Sequence, residues 1–281
     1  MKPAAFLYHR PTAIDDAVGL LARYAPEGGR ILAGGQSLVP LMALRLAQPP
    51  HLIDINRIPF GILRVETGAL VIPATARHHE ISAPPPLGPA LRLIVGHIAH
   101  GPIRARGTFC GSLAHADPAA EWPLVFITLG GQATLRSPTG DRIVPAEDFT
   151  QDIMTTALRP DELLTEIRLP LPAPTTRLGF HEVSRRAGDY AMAMSFVTLD
   201  VADGLITHAR IGIGAAERRP SRIQAAEALL TNAQPTEANF RAAAQEAADA
   251  IDPMEDHQVG AAFRRDLVRT VVHRALRSAA A

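Results

Sequence analysis

The chain has 281 residues, 47% of them hydrophobic and 20% charged, and its 28 basic and 28 acidic side chains cancel to a formal net charge of zero. That length predicts two or three subdomains, the composition excludes wholesale disorder, and scattered basic residues give no electrostatic footprint for a nucleic acid. The lone lysine, Lys2, excludes a P-loop lysine and an internal Schiff base, and the lone cysteine, Cys110, excludes an internal disulfide and an iron–sulfur cluster, which takes four thiolates.

Residues Met1 to Arg10 lack the apolar core of a signal peptide. The longest apolar stretch, Trp122 to Leu129, is too short to span a bilayer, so a cytoplasmic chain with no membrane span is expected. A strand is predicted at Phe6–Tyr8. Thr12 then caps a helix whose apolar residues Ala17, Leu20, Leu21 and Tyr24 recur at helical spacing. Arg30–Ala33 reads as a short buried strand that delivers the loop Ala33-Gly34-Gly35-Gln36-Ser37-Leu38. A turn or short helix follows at Val39 to Leu46, then a strand at His51–Ile55, making a small β–α–β unit with the loop at a strand's C-terminal end.

Gly61–Val65 and Ala69–Pro73 read as a hairpin about Glu66-Thr67-Gly68. A helix runs from about Leu87 to Ala99, and a second glycine loop follows at Arg106-Gly107-Thr108-Phe109-Cys110-Gly111-Ser112, then Ala114-His115-Ala116-Asp117-Pro118. Beyond it come a helix at Ala119–Leu129, two strands at Ala133–Ser137 and Asp141–Pro145, and another at Leu163–Leu169. The proline run Pro170 to Pro174 marks a domain boundary. After it, strands at Gly179–Arg185, Ala193–Ala202 and Leu205–Gly212 precede helices at Ser221–Leu230, Thr236–Ile251 and Gln258–Ala279, an α+β module whose alanine-rich tail is expected to fray.

Each loop places small residues where a backbone must approach something closely, and together they read as two jaws on one large anionic ligand. Gly35-Gln36-Ser37 begins a nucleophile elbow, but Val39 stands where the second glycine belongs. Cys110 has no evident thiolate-stabilising partner and reads as packing. His78, His79, His97 and His100 form no metal pattern and read as surface histidines, so no metal site and no catalytic residue are assigned. Gly212-Ile213-Gly214 lacks the third glycine of a dinucleotide fingerprint and reads as a strand end.

Ala33 to Leu41 with Leu52-Ile53-Asp54-Ile55, Arg104 to Pro123, and Phe180 to Tyr190 are three ordered motifs. Together they closely resemble the FAD-binding medium subunits of molybdenum hydroxylases, a family that includes the carbon monoxide dehydrogenase medium chain and the FAD domain of xanthine dehydrogenase. The resemblance implies an α+β chain. A two-part α/β FAD-binding domain of the PCMH type would occupy residues 1–175, with subdomains of about 1–58 and 59–175. A flavoprotein module with a three-stranded antiparallel sheet and helices would occupy residues 176–281.

It further implies FAD contacts at Ala33, Gly34, Gly35, Gln36, Ser37 and Leu38 around the pyrophosphate. Thr108, Gly111 and Ser112 would meet the diphosphate and ribitol, with Cys110 and His115 in the same run. Glu121 would be a polar contact where the family has aspartate, and Tyr190 would lie beside the isoalloxazine. His181 stands where xanthine dehydrogenases have a cofactor-contacting lysine. Partners would be a large molybdopterin-binding subunit and a small subunit with two [2Fe-2S] clusters, in a dimer of heterotrimers. Electrons would pass from those clusters through FAD to an external acceptor. With no lysine in the pocket, backbone N–H groups and hydroxyls must carry the diphosphate, with Arg77 or Arg106 as helpers or as structure. This sequence departs from the family by Phe109-Cys110 for Ile-Gly, Pro73 and Ala76 for Gly and Thr, and Glu121 for Asp. A self-sufficient FAD-dependent oxidoreductase and an assembly subunit that has lost FAD are the two other readings.

Overall fold

Three short parallel strands start the chain in the computed structural model, which describes residues 2–281. His51–Asp54 is buried at their centre, with Leu7–His9 on one side and Arg30–Leu32 on the other. Parallel neighbours need a crossover, and the helix Ile14–Tyr24 supplies the first one. Ala17, Val18 and Leu21 line one face of that helix and pack on Ile53, Ile55 and Ile58. Ala13, not Thr12, occupies its cap position and offers no side-chain bond; Asp15 and Asp16 in the first turn complement the helix dipole instead. The strand that delivers the first loop is half-exposed rather than buried, because it is an edge strand.

A five-stranded antiparallel sheet follows, in the order Arg64–Glu66, Ala69–Pro73, Leu163–Pro170, Gln132–Ser137, Gly140–Pro145. Thr67 and Gly68, at φ of 49° and 73°, form the tight turn of its first hairpin. The strand reached last in sequence sits in the middle, joining two hairpins that would otherwise have nothing to pair with. Helices Leu87–His97, Phe109–His115 and Glu121–Leu129 pack with this sheet in one core. Glu121–Leu129 is apolar on nearly every side because it lies between this sheet and the next one.

The C-terminal sheet has four antiparallel strands rather than the three expected: Arg177–Ser184, Ala191–Ala202, Leu205–Gly214 and a two-residue edge at Ser221–Arg222. The last is too short to read from alternation and was expected to open a helix, which instead starts at Gln224. One face of the sheet contributes Phe180, Met194 and Phe196 to the core around Trp122 and Phe126. Helices Gln224–Leu230, Glu237–Ala250 and Ala261–Ala280 cover the other. The alanine-rich tail does not fray. Its small side chains let the helix backbone ride directly on the sheet, and Ala275, Leu276 and Ala279 are buried there.

Candidate functional site

After Leu32 the chain leaves the edge strand and turns through Ala33–Ser37 into the short helix Leu38–Ala43. Gly35 takes φ 73°, the left-handed region, while Ser37 is right-handed at φ −103°. Alternation of that kind turns successive N–H groups toward one side and makes a concave anion nest. Among the described residues, the N–H groups of Gly34 to Leu38 find no acceptor, while Gln36 Nε2 folds back to donate to Gly34 O at 3.1 Å.

The second loop is braced from below. His78 N–H donates to Gly107 O at 2.9 Å, Phe109 N–H to Ala76 O at 3.1 Å, and Thr108 Oγ1 accepts from Gly111 N at 3.0 Å to cap the helix Phe109–His115. The two loops touch. A Cβ on Gly34 would sit 2.3 Å from Arg106 O and 2.7 Å from Gly107 Cα, and one on Gly111 would reach Ala33 Cβ at 3.7 Å. The loops are therefore one continuous wall, not two jaws across a gap.

Two residues hold the wall together: Asn56, which sequence reasoning did not single out, and Arg77, which it left open between phosphate helper and structure. Asn56 Nδ2 donates to Ala33 O at 2.8 Å, and its Oδ1 accepts from Arg77 Nη2, while Arg77 Nη1 donates to Arg106 O. Arg77 is thus a structural clamp. Asn56 follows Asp54 at the end of the central strand, and that Asp-x-Asn spacing is the only sequence signal it leaves.

The remaining predicted residues separate into two groups. Ser112 is half-buried on the helix that Thr108 caps, and His115 ends that helix before Ala116 turns left-handed. Cys110, only 3% exposed, turns its Sγ into the core toward Ile72 O, and burial pushes its thiol up, away from thiolate chemistry. Its side chain therefore does not crowd the wall; the cysteine that replaces the family's glycine is accommodated from behind. Glu121 opens the next helix, and burial first, then the charges of Glu182 and Asp117, push its carboxyl up to about 8. Tyr190, 66% exposed, follows a turn in which Gly188 lies against the His100 ring; partial desolvation, then Asp117 and Glu121, raise its phenol. His181 lies on the strand Arg177–Ser184. It alternates with Phe180 and Glu182 along its strand and meets Arg274 of the C-terminal helix at 3.1 Å, where burial, then Arg274, hold its imidazole below the usual range.

A family model described as the FAD binding domain in molybdopterin dehydrogenase matches residues 4–172, and one described as the CO dehydrogenase flavoprotein C-terminal domain matches residues 179–279. The chain belongs to this flavoprotein family. The nicotine 6-hydroxylase medium subunit of Paenarthrobacter nicotinovorans is 36% identical over 295 residues, covering 100% of this chain and 99% of that one. The carbon monoxide dehydrogenase medium chain of Hydrogenophaga pseudoflava is 35% identical, covering 99% and 98%. Among solved structures, carbon monoxide dehydrogenase from Hydrogenophaga pseudoflava, in a form lacking the Mo-pyranopterin moiety, superposes with a TM-score of 0.95 at 35% identity over 99% of this chain and 98% of that one. Quinoline 2-oxidoreductase from Pseudomonas putida 86 gives 0.94 at 34% identity, over 100% and 98%. The chain is thus similar throughout to medium, FAD-carrying subunits of molybdenum hydroxylase complexes. No helix among the described residues is long and apolar enough to cross a membrane.

The wall fits the family's cofactor. A row of N–H groups without internal acceptors matches a diphosphate, and a side chain at Gly34 would displace the backbone that lines it. Behind the wall, His78 is buried rather than on the surface as expected, and its Nδ1 accepts from Trp122 Nε1 at 2.8 Å. Burial first, then Arg77 and Arg104, depress its imidazole from 6.5 to about 4. An unfolded chain takes up that proton near 6.5 and the folded one only near 4, so the stabilisation is complete above 6.5 and drains away as the pH falls through this window. The loss reaches about 3 kcal/mol at most. Urea midpoints recorded between those limits should therefore slope more steeply in the native chain than in His78→Gln, which keeps an acceptor for Trp122. Equal slopes would remove His78 as the cause.

Proposed function

We propose that this chain is the FAD-holding electron-transfer subunit of a cytoplasmic molybdenum hydroxylase, working with a large molybdopterin-binding subunit and a small iron–sulfur subunit in a dimer of heterotrimers. Bound FAD supplies the redox centre between the partner's two [2Fe-2S] clusters and an external acceptor; the redox chemistry belongs to that cofactor. The observation that carries the reading is the wall itself. Among the described residues, backbone N–H groups from Gly34 to Leu38 stand unpaired against Arg106 and Gly107, in a chain whose single lysine is Lys2, far from these loops in sequence.

The chain's own residues bind and orient. The nest takes the pyrophosphate, Thr108, Gly111 and Ser112 lie beside it for the ribitol side, and Asn56 with Arg77 keeps the two loops in register. We assign Tyr190 to the ring system as a flat apolar face and Glu121 as a polar contact to it; the effect of the Glu121 charge on the Tyr190 phenol supports grouping the two. We assign residues 1–175 to the FAD-binding domain, with subdomains of about 1–58 and 59–175, and residues 176–281 to the flavoprotein module; the two family matches support that division.

The test is co-purification with the two partner chains. Near-stoichiometric flavin absorbance is expected, with flavin reduced by the organic or gaseous substrate only when both partners are present. Turnover by the isolated flavin-loaded chain would instead establish a self-sufficient oxidoreductase. Correctly folded complex without flavin would leave the chain an assembly subunit.

A further inference from the structure

The FAD-binding role makes no direct use of Arg264, a cation buried in the flavoprotein module. It stands in the first turn of the helix Ala261–Ala280, with its side chain only 4% exposed. Nη2 pairs with Asp256 in the irregular segment before that helix, and Nη1 donates to Ala215 O at 2.8 Å. Nε is buried with no partner among the described residues. A buried donor on a charged group is costly to leave unpaired, so what the guanidinium fork reaches decides why it is kept. It reaches the strap between the wall and Glu121. Ala215 follows the strand Leu205–Gly214, takes φ 61°, and donates its N–H to Pro118 O at 2.9 Å. Pro118 lies in residues 116–120, which join the helix Phe109–His115 to Glu121 at the start of the next helix. A second strut holds the other end. Met154, between the paired strands Thr150–Asp152 and Thr155–Thr156, donates its N–H to Ala116 O at 3.0 Å. Arg218 ties that hairpin back by donating to both carboxylate oxygens of Asp152, at 2.7 and 2.8 Å. Residues 215–218 thus hold the strap from both ends. Ala116 and Met154 are left-handed too, at φ 53° and 52°. Left-handed residues other than glycine persist where their surroundings over-determine them.

Resting on the FAD-binding reading above, we propose that Arg264 is a positioning residue of the flavin site: by fixing Ala215 it fixes the strap 116–120, and with it the placement of Glu121 relative to the two-loop wall.

The mechanics follow from the bonds. Ala215 gives its N–H to the strap and its carbonyl to Arg264, so both of its backbone dihedrals are held. Released at the carbonyl, a left-handed alanine relaxes toward the favoured regions and turns its N–H away from Pro118 O. The anchor is itself stiff. Asp256 Oδ1 accepts from the N–H groups of Gln258 and Val259 at 2.7 and 2.9 Å, while Oδ2 takes Arg264. Met254 N–H donates to Ala216 O at 2.8 Å and fastens the same segment to the strand end. A planar fork spans Asp256 and Ala215 O together, which the point charge of a lysine does not. Ser112 and His115 precede the strap and Glu121 follows it, so a strap that swings changes the distance across which a flavin would be held.

The experiment uses the full-length chain and two readouts. Amide hydrogen exchange is followed in the flavin-free chain, and FAD itself is titrated to give a Kd and the visible spectrum of the bound flavin. Arg264→Met removes the fork and leaves Asp256 to water, since that carboxylate is 44% exposed. Arg264→Lys keeps the charge and loses the fork. Asp256→Asn, at a half-exposed position, keeps the test open where the arginine variants do not fold. Arg269→Gln is the control, breaking an exposed pair with Asp266 on the same helix. Amides of the strap should exchange about threefold faster or more in the Arg264 variants, with those of the helix Glu237–Ala250 unchanged. The Kd for FAD should rise about three- to thirtyfold, with a shifted flavin band. Asp256→Asn should act in the same direction and Arg269→Gln should alter neither readout.

Native exchange in the strap of every folded variant overturns the inference. So does faster exchange spread over the whole flavoprotein module with FAD bound as in the native chain, the result of a merely structural role. A loosened strap with unchanged Kd and spectrum overturns it as well, because the strap would then not position the site. The exchange arm separates the two ideas. A strap loosened by Arg264→Met in a chain that never takes up FAD would uphold the hold on the strap and refute the cofactor reading. FAD bound tightly by a chain whose strap never responds would do the reverse.

Discussion

Gly34→Ala should strip the chain of flavin while leaving it folded. The added methyl would lie 2.3 Å from Arg106 O and 2.7 Å from Gly107 Cα, and neither atom belongs to a side chain that can rotate away. Arg106 O is also held by the Arg77 guanidinium, which Asn56 anchors in turn, so the second loop cannot retreat without breaking that clamp. The loops must part, and the N–H groups of the nest then no longer face the same point as Thr108 and Gly111. A loss of about tenfold or more in flavin affinity is expected, equivalent to about 1.4 kcal/mol. The check is visible flavin absorbance per chain, beside circular dichroism to establish folding. Gly19→Ala is the control, because a methyl there meets nothing within 4 Å and the residue lies within a helix. It should keep its flavin and gain about 0.5–1 kcal/mol in stability. Native flavin content in a folded Gly34→Ala chain would refute the wall.

Gly179→Ala should lower the stability of the chain more than any ordinary surface change. A Cβ at Gly179 would stand 2.0 Å from Ala275 O and 2.9 Å from Ala279 N, so the C-terminal helix would have to lift off the sheet as a body. Overpacking among side chains costs about 1–3 kcal/mol, and here the obstacle is backbone that cannot change rotamer. Lifting the helix also opens gaps around Val268, Val271, Val272 and Leu276, all of them buried against the sheet. A loss of about 3 kcal/mol or more in urea unfolding is expected. A free energy within about 0.5 kcal/mol of the native chain, the range of a surface substitution, would show that the helix does not ride on this strand.

That contact also shows where sequence reading stops. The tail of this helix is a run of small residues, and alone it reads as weak structure. Smallness is what lets it approach a glycine on a strand far away in sequence, and nothing in either segment announces the other. His78 and Cys110 teach the same lesson from opposite sides. His78 looks like one of several surface histidines, yet it is buried on Trp122; Cys110 looks like an intrusion into a glycine loop, yet its side chain faces the core. In both cases the direction of one side chain decides the role, and that direction is set by how the helix Phe109–His115 and the segment before it pack on the sheet. The hairpin turns at Thr67-Gly68 and Asp203-Gly204 were legible because left-handed backbone is a property of the residues in the turn. The central place of Leu163–Pro170 was not, because strand order depends on which hairpins share a core.

By itself, the sequence determined the chemistry of this protein: glycines where a backbone must be bare, a single lysine at position 2, a single cysteine where a cluster takes four, and three motifs in a family's order. Those follow from the kinds of residue present and their local spacing. Only the tertiary structure decided that the two glycine loops are a single wall and that Asn56 and Arg77 lock it. Each joins residues distant along the chain, and such meetings are fixed by how sheets and helices bury their apolar faces, a property that no single segment carries.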